Sequence, residues 1–194
     1  MLIDCSYGIP DRAALIIVDV QKGFDDPRWG NRNNLQAETN ISRILQVWRK
    51  TGRPVLHIQH LSKKLNHPLR PEASGSEFKE CVEPLGNEPI FQKNVNSAFI
   101  GTNLEQYLRE HGYNCVVIVG LTTDHCISTT ARMAGNLGFK TYVISDATAT
   151  FDRTGHDNKH YDAEDIHNIS LASLHDMFAT VVRTADLIEQ LMIS

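Results

Sequence analysis

Residues 116–132, VVIVGLTTDHCISTTAR, decide how the chain is read. Four apolar residues open the segment, three of them valine, and a run without polar alternation suits a strand covered on both faces. Gly120 ends that strand. Thr122, Thr123 and Asp124 form a polar turn of the kind that caps helices, and a helical pattern begins near Cys126. The segment therefore sets a thiol in the first turn of a helix, at the carboxyl end of a parallel-type strand. A helix N-terminus carries positive partial charge and unpaired N–H groups, which favour thiolate over thiol. Cys126 is expected to be an activated nucleophile, against the alternative of a small residue packed under a turn.

Outward from this segment, strand and helix alternate. Residues 13–20, AALIIVDV, are an apolar run broken only by Asp19, and further strands fall at 55–60, 89–92, 140–145 and 180–183. Helical spacing marks 35–50, a segment from about Asn103, the segment from Cys126 to Gly138, and 184–192. Over 162–178 it sets Ile166, Ile169, Leu171, Leu174 and Met177 on one face. Residues 146–160 read as a loop. Residues 61–89, with four prolines and two glycines, read as a long lid or binding loop; its Lys63, Lys64, Arg70, Glu72 and Glu77 could line an entrance, but a solvated surface is the better account of most of them. This order predicts an α/β fold: one three-layer αβα domain over residues 1–194, built on a mostly parallel sheet of about six strands with right-handed crossovers.

Composition narrows the function classes. The 194 residues are 41% hydrophobic and 22% charged, close to an ordinary soluble domain. A formal net charge of −4 leaves no basic footprint for nucleic acid. The start, MLIDCSYGIPDR, has no basic stretch followed by an apolar core, and no run approaches the ~20 apolar residues of a membrane span. Four cysteines without a CxxC pair fit reduced thiols, so a cytoplasmic protein is expected. No GxGxxG follows the first strand, and GxxxxGK[ST], HExxH and GxSxG are absent. His57 and His60, three apart on a strand, point to opposite faces and cannot share one metal from regular structure, and His67 lies in the proline-rich loop. No metal and no cofactor are expected.

In a parallel sheet the site lies beyond the carboxyl ends of the strands, beside a switch in strand order. Asp19, Lys93 and Cys126 each fall at such an end. Together they supply a base, a charge partner and a nucleophile.

The pieces ALIIVDVQKGF, FQKNVNSAF, VGLTTDHCISTTARMAGNLGF and SDATATFDR resemble, in order and spacing, the isochorismatase-like cysteine hydrolases. That family includes nicotinamidases, N-carbamoylsarcosine amidohydrolase and streptothricin hydrolase. The resemblance covers nearly the whole chain. It implies a six-stranded parallel sheet, a catalytic triad of Asp19, Lys93 and Cys126, a cis peptide at Leu121–Thr122, and an oxyanion site made by the backbone N–H groups of Thr122 and Cys126. It also implies a homo-oligomer, a dimer or tetramer. The implied reaction is cleavage of a C–N bond in a small amide or carbamoyl compound through a thioacyl intermediate; relatives that cleave the vinyl ether of isochorismate lack the cysteine. Nicotinamidases carry a metal-binding Asp-x-His near the end of the second strand; here the stretch reads His57-Ile58-Gln59-His60-Leu61-Ser62 and the aspartate is missing, which sets nicotinamide behind other small amides. Phe24, Trp29, Phe99 and Phe151 are expected as pocket walls. A catalytically idle ligand-binding protein, a thiol sensor and a metal-assisted nicotinamidase remain as alternatives.

Overall fold

The computed structural model describes residues 8–193. Six parallel strands form its sheet: β1 (Ala14–Val18), β2 (Val55–His60), β3 (Ile90–Lys93), β4 (Cys115–Leu121), β5 (Lys140–Ala149) and β8 (Thr180–Val182). Their order is β3-β2-β1-β4-β5-β8. The sheet grows in one direction from β1 and in the other from β4, so the switch point lies between these two strands.

The apolar runs of β1 and β4 are buried throughout because alternate residues serve opposite layers. Leu15, Ile17, Val117 and Val119 pack against α1 (Ala37–Lys50) and α5 (Thr184–Ile193), through Ile41, Ile44, Trp48 and Leu187. Ile16, Val18, Val116 and Ile118 pack on the other side against α2 (Leu104–Glu110), α3 (Ser128–Asn136) and α4 (Ala163–Leu174), through Leu108, Ala131, Ala134 and Leu171. This is the three-layer α/β arrangement the strand–helix alternation implies. Gly120 (φ 125°) is required at the end of β4, where a Cβ would lie 2.0 Å from the carbonyl oxygen of Val18. The close approach brings the ends of β1 and β4 together. Among the described residues no helix is long and apolar enough to cross a membrane.

Three expectations change. β5 does not stop near Ser145: its pairing with β4 jumps from Ile118–Val143 to Gly120–Thr148, so it bulges and resumes. Polar residues are tolerated in the bulge because each has a partner. Asn34 Nδ2 donates to the carbonyls of Ser145 and Thr148, and the Asp146 carboxylate accepts from the backbone N–H and hydroxyl of Thr184, capping α5. Residues read as loop also contain a short antiparallel hairpin, β6 (Arg153–Thr154) with β7 (His160–Tyr161). Finally, α4 ends at Leu174 and buries Ala163, His167, Leu171 and Leu174, while Ile169 and Met177 are exposed. Ile169 stands two residues, about 200° around the helix, from both His167 and Leu171. Met177 lies beyond the helix end.

Candidate active site

Asp19 follows β1 with φ 53°, a left-handed conformation that aspartate tolerates better than most residues, and it is completely buried. Lys93, the last residue of β3, reaches past the end of β2 to meet it. Its Nζ donates to Asp19 Oδ2 at 2.6 Å and to the Val95 carbonyl at 3.1 Å, and lies 3.4 Å from Cys126 Sγ. A buried ammonium without such partners would be too costly to keep charged. Asp19 Oδ1 has no hydrogen-bond partner among the described residues.

Cys126 does not begin the helix. A single π-type turn, Thr123–Ile127, precedes α3, and the Thr122 carbonyl accepts from both His125 N and Ile127 N. Such turns are often found at functional sites, where they re-aim a side chain. The peptide Leu121–Thr122 is cis. Side chains around the turn hold it in place: Thr123 Oγ1 is 2.8 Å from His167 Nδ1, and the Asp124 carboxylate accepts from Thr150 Oγ1 (2.6 Å) and Arg153 Nε (2.8 Å).

The expected resting thiolate is not what this environment favours. Burial pushes the Cys126 thiol well up; the Asp19 carboxylate pushes the same way, and Lys93 only opposes them. Burial likewise raises the Asp19 carboxyl against the pull of Lys93 and of the thiol. Lys93 is raised: burial works against its charge, and the neighbouring Asp19 and Cys126 outweigh it. The environment therefore favours a resting thiol beside the 2.6 Å Asp19–Lys93 contact. The helix-terminus argument misses this because it weighs the backbone dipole and not a carboxylate one strand away. Of the two other described cysteines, Cys81 is exposed, and burial pushes the Cys115 thiol up to about 11. Cys5 lies outside the described residues.

Sequence reasoning weighed His60 only as a metal ligand and missed its place beside Lys93. It pairs in register with Lys93 across β2 and β3, and its Nδ1 is 3.1 Å from Lys93 Nζ. Buried Gln21 fixes its backbone, accepting from His60 N at 2.8 Å and donating to His60 O at 3.0 Å. Burial first, then the charge of Lys93, lowers His60 to about 4, so it is neutral at neutral pH. Strand register was the available signal: once β2 and β3 are paired in parallel, His60 stands beside Lys93. His57 points elsewhere, its Nε2 2.8 Å from Glu88 Oε2. His67 was expected to stay apart, yet its ring lies 6.4 Å from that of His60 and 5.7 Å from that of Trp29.

A carboxylate oxygen of Asp19, a His60 ring nitrogen and Cys126 Sγ lie within 4.8 Å of one another, a spacing that could gather a cation. The Lys93 ammonium already contacts all three groups. A second triad, Asp152, His160 and Asp162, lies at the surface beside the β6–β7 hairpin.

Cys126 lines a cavity of about 480 Å³, with Asp19 and Lys93 buried behind it. Phe24 and Trp29, 5.4 Å apart, line one wall, and Phe151 stacks behind them at 6.3 and 5.7 Å, lending support without reaching the lining. Phe99 is not a wall of this cavity. It packs on Phe139 at 6.0 Å, on the far side of β3. The long loop supplies Ser62, Lys63, Lys64, His67 and Leu69 to the cavity, whereas Arg70 pairs with Glu72, and Glu77 with Lys22, outside it. Gly75 lets this loop close against its own start: a Cβ there would be 2.3 Å from the Pro68 carbonyl.

The model of the isochorismatase domain matches residues 13–186. YrdC of Bacillus subtilis (strain 168), an uncharacterised isochorismatase family protein, is 56% identical over 178 residues, covering 92% of this chain and 95% of its own. Nicotinamidase 3 of Arabidopsis thaliana is 29% identical, covering 88% and 84%. A crystal structure from Chromobacterium violaceum ATCC 12472, assigned to the hydrolases of the isochorismatase family, superposes with a TM-score of 0.92 at 40% identity, over 95% of this chain and 96% of that one. With the sheet order, the switch-point cleft and these matches in hand, the chain belongs to the isochorismatase family.

Proposed function

We propose that the protein is a cysteine-dependent amidohydrolase that cleaves the C–N bond of a small amide or carbamoyl compound. The observation that carries this reading is the buried Lys93 Nζ in contact with both Asp19 and Cys126, beside a carboxylate oxygen that has no hydrogen-bond partner among the described residues. An unpartnered buried acceptor costs stability unless it has a task, and taking a proton is such a task.

In this mechanism Asp19 takes the thiol proton as Cys126 Sγ attacks the amide carbonyl carbon. The C=O electron pair moves onto oxygen, where the N–H groups of Thr122 and Cys126 receive the oxyanion. The Cys126 N–H suits this role because the Thr122 carbonyl bonds its two neighbours, His125 N and Ile127 N, and not Cys126 N. Protonated Asp19 passes its proton to the nitrogen, the C–N bond breaks, and the amine or ammonia leaves. Water then attacks the thioester and gives a proton to Asp19, which returns it to the departing Sγ. Lys93 stays charged throughout and compensates the one negative charge that moves between Asp19 and sulfur. A thiol that ionises only as it attacks is compatible with its raised resting state.

The metal-binding position of the nicotinamidase-like relatives is poorly suited to a metal here. Ser62 Oγ accepts from Lys64 N at 3.2 Å, His67 Nδ1 accepts from Leu69 N at 3.1 Å, and His60 Nδ1 faces the Lys93 ammonium. No carboxylate stands among them. The test is ammonia release from a panel of small amides and carbamoyl compounds, using protein dialysed against EDTA and verified metal-free. Turnover of at least one compound at full rate is expected. Release of no ammonia from any compound would refute the amidohydrolase reading, and activity restored only by zinc or iron would refute its metal-free form.

A further inference from the structure

Cys126 and Thr122 are the residues of the proposed mechanism that line the cavity; the rest of its lining carries a separate message. Among the described residues the lining holds three cationic side chains, Lys63, Lys64 and Arg153, and no carboxylate, in a chain of net charge −4. The acids nearest to it are committed. Asp19 is paired with Lys93 at 2.6 Å, and Asp124 with Arg153 at 2.8 Å, which also uses the charge of Arg153. Lys63 and Lys64 have no acidic partner among the described residues. Lys64 is the more central, since its charge bears on the rings of His60, His67 and His125.

His60 adds a directed donor. An ammonium can only donate, so the contact from Lys93 Nζ makes His60 Nδ1 an acceptor. The proton of the neutral ring then resides on Nε2, a tautomer fixed by the network. That N–H has no partner among the described residues, and His60 lines the cavity. The same lining carries the aromatic rings of Phe24 and Trp29. Cations, a fixed N–H and apolar rings in one lining, with no competing carboxylate, suit an acceptor-bearing, negatively charged ligand with an apolar body.

We propose that the cavity selects amides bearing a carboxylate, received by Lys64 and the Nε2–H of His60, with the carbon skeleton against Phe24 and Trp29. The assignment of the scissile group as an amide rests on the amidohydrolase reading above; the selection of an anion does not.

Calorimetric binding to the full chain carrying Cys126→Ala tests the inference without turnover. The probes are succinamate, glutaramate and 4-carbamoylbenzoate, each beside its methyl ester. At least one acid should bind at least about tenfold more tightly than its ester, the scale of a charge-assisted contact. Added salt should weaken the acid selectively. Lys64→Met in the same background should bring the acid-to-ester ratio towards one, and Lys64→Glu should invert it. Esters binding as well as acids, no acid binding at all, or a ratio unmoved by both Lys64 variants would overturn the proposal. Ammonia release by the unmutated protein separates the two readings. An acid that binds in preference to its ester yet is not hydrolysed would count against the amidohydrolase and leave the anion selectivity standing.

Discussion

Cys126→Ala is expected to lower kcat by at least about a thousandfold, the scale seen when a covalent nucleophile is removed. The far-UV circular dichroism should be unchanged. Cys126 is buried, but it contributes one sulfur to a turn held by Thr122, Thr123 and Asp124. The stability cost should therefore be on the order of 1 kcal/mol, or about 2–4 °C in Tm for a chain of this size. A variant that keeps a tenth of the activity would remove the covalent mechanism. One that loses activity only by unfolding would show a collapse in Tm.

The second large effect separates Asp19 from Lys93. Asp19→Asn removes the base, Lys93→Met removes the charge, and each should reduce kcat by at least about a hundredfold. Lys93→Met should also destabilise the fold by about 3–5 kcal/mol, because it strands a buried carboxylate. Their effects on the thiol should have opposite signs. The Asp19 carboxylate raises the Cys126 thiol and Lys93 lowers it. Asp19→Asn should therefore move the pH profile of Cys126 alkylation to lower pH, giving a more reactive thiol in a less active protein. Lys93→Met should move it to higher pH. Peptide-resolved iodoacetamide labelling over a pH series carried well above the usual thiol range reads both shifts. Shifts of the same sign in the two variants would mean that the three groups do not share one charge.

The architecture was legible because buried parallel strands write themselves as unbroken apolar runs. The central strands β1 and β4 appear where such runs lie, with Asp19 and Cys126 beyond their ends, whereas β3, which ends in Lys93, exposes Ile90 and Gln92. What was illegible depended on partners distant in sequence. The β5 bulge looks like a loop until Asn34 and Thr184 supply its hydrogen bonds. Ile169 matches helical spacing within tolerance, but the buried face of α4 is set by His167 reaching Thr123. Phe24 and Phe99 carry the same side chain, and only the sheet decides that one faces the cavity and the other Phe139. The state of the thiol was the deepest miss. A helix start favours thiolate, whereas burial beside a carboxylate favours thiol, and the second effect requires the fold to be known.

The most direct measurement is the mass of the Cys126 peptide after acid quenching during steady-state hydrolysis of whichever amide is turned over. The mechanism predicts a fraction of that peptide carrying the acyl group as a hydroxylamine-labile thioester, with none on Cys81 or Cys115 and none in Cys126→Ala. Hydrolysis proceeding with Cys126 unmodified under every quench time, or continuing in Cys126→Ala at a comparable rate, would contradict it.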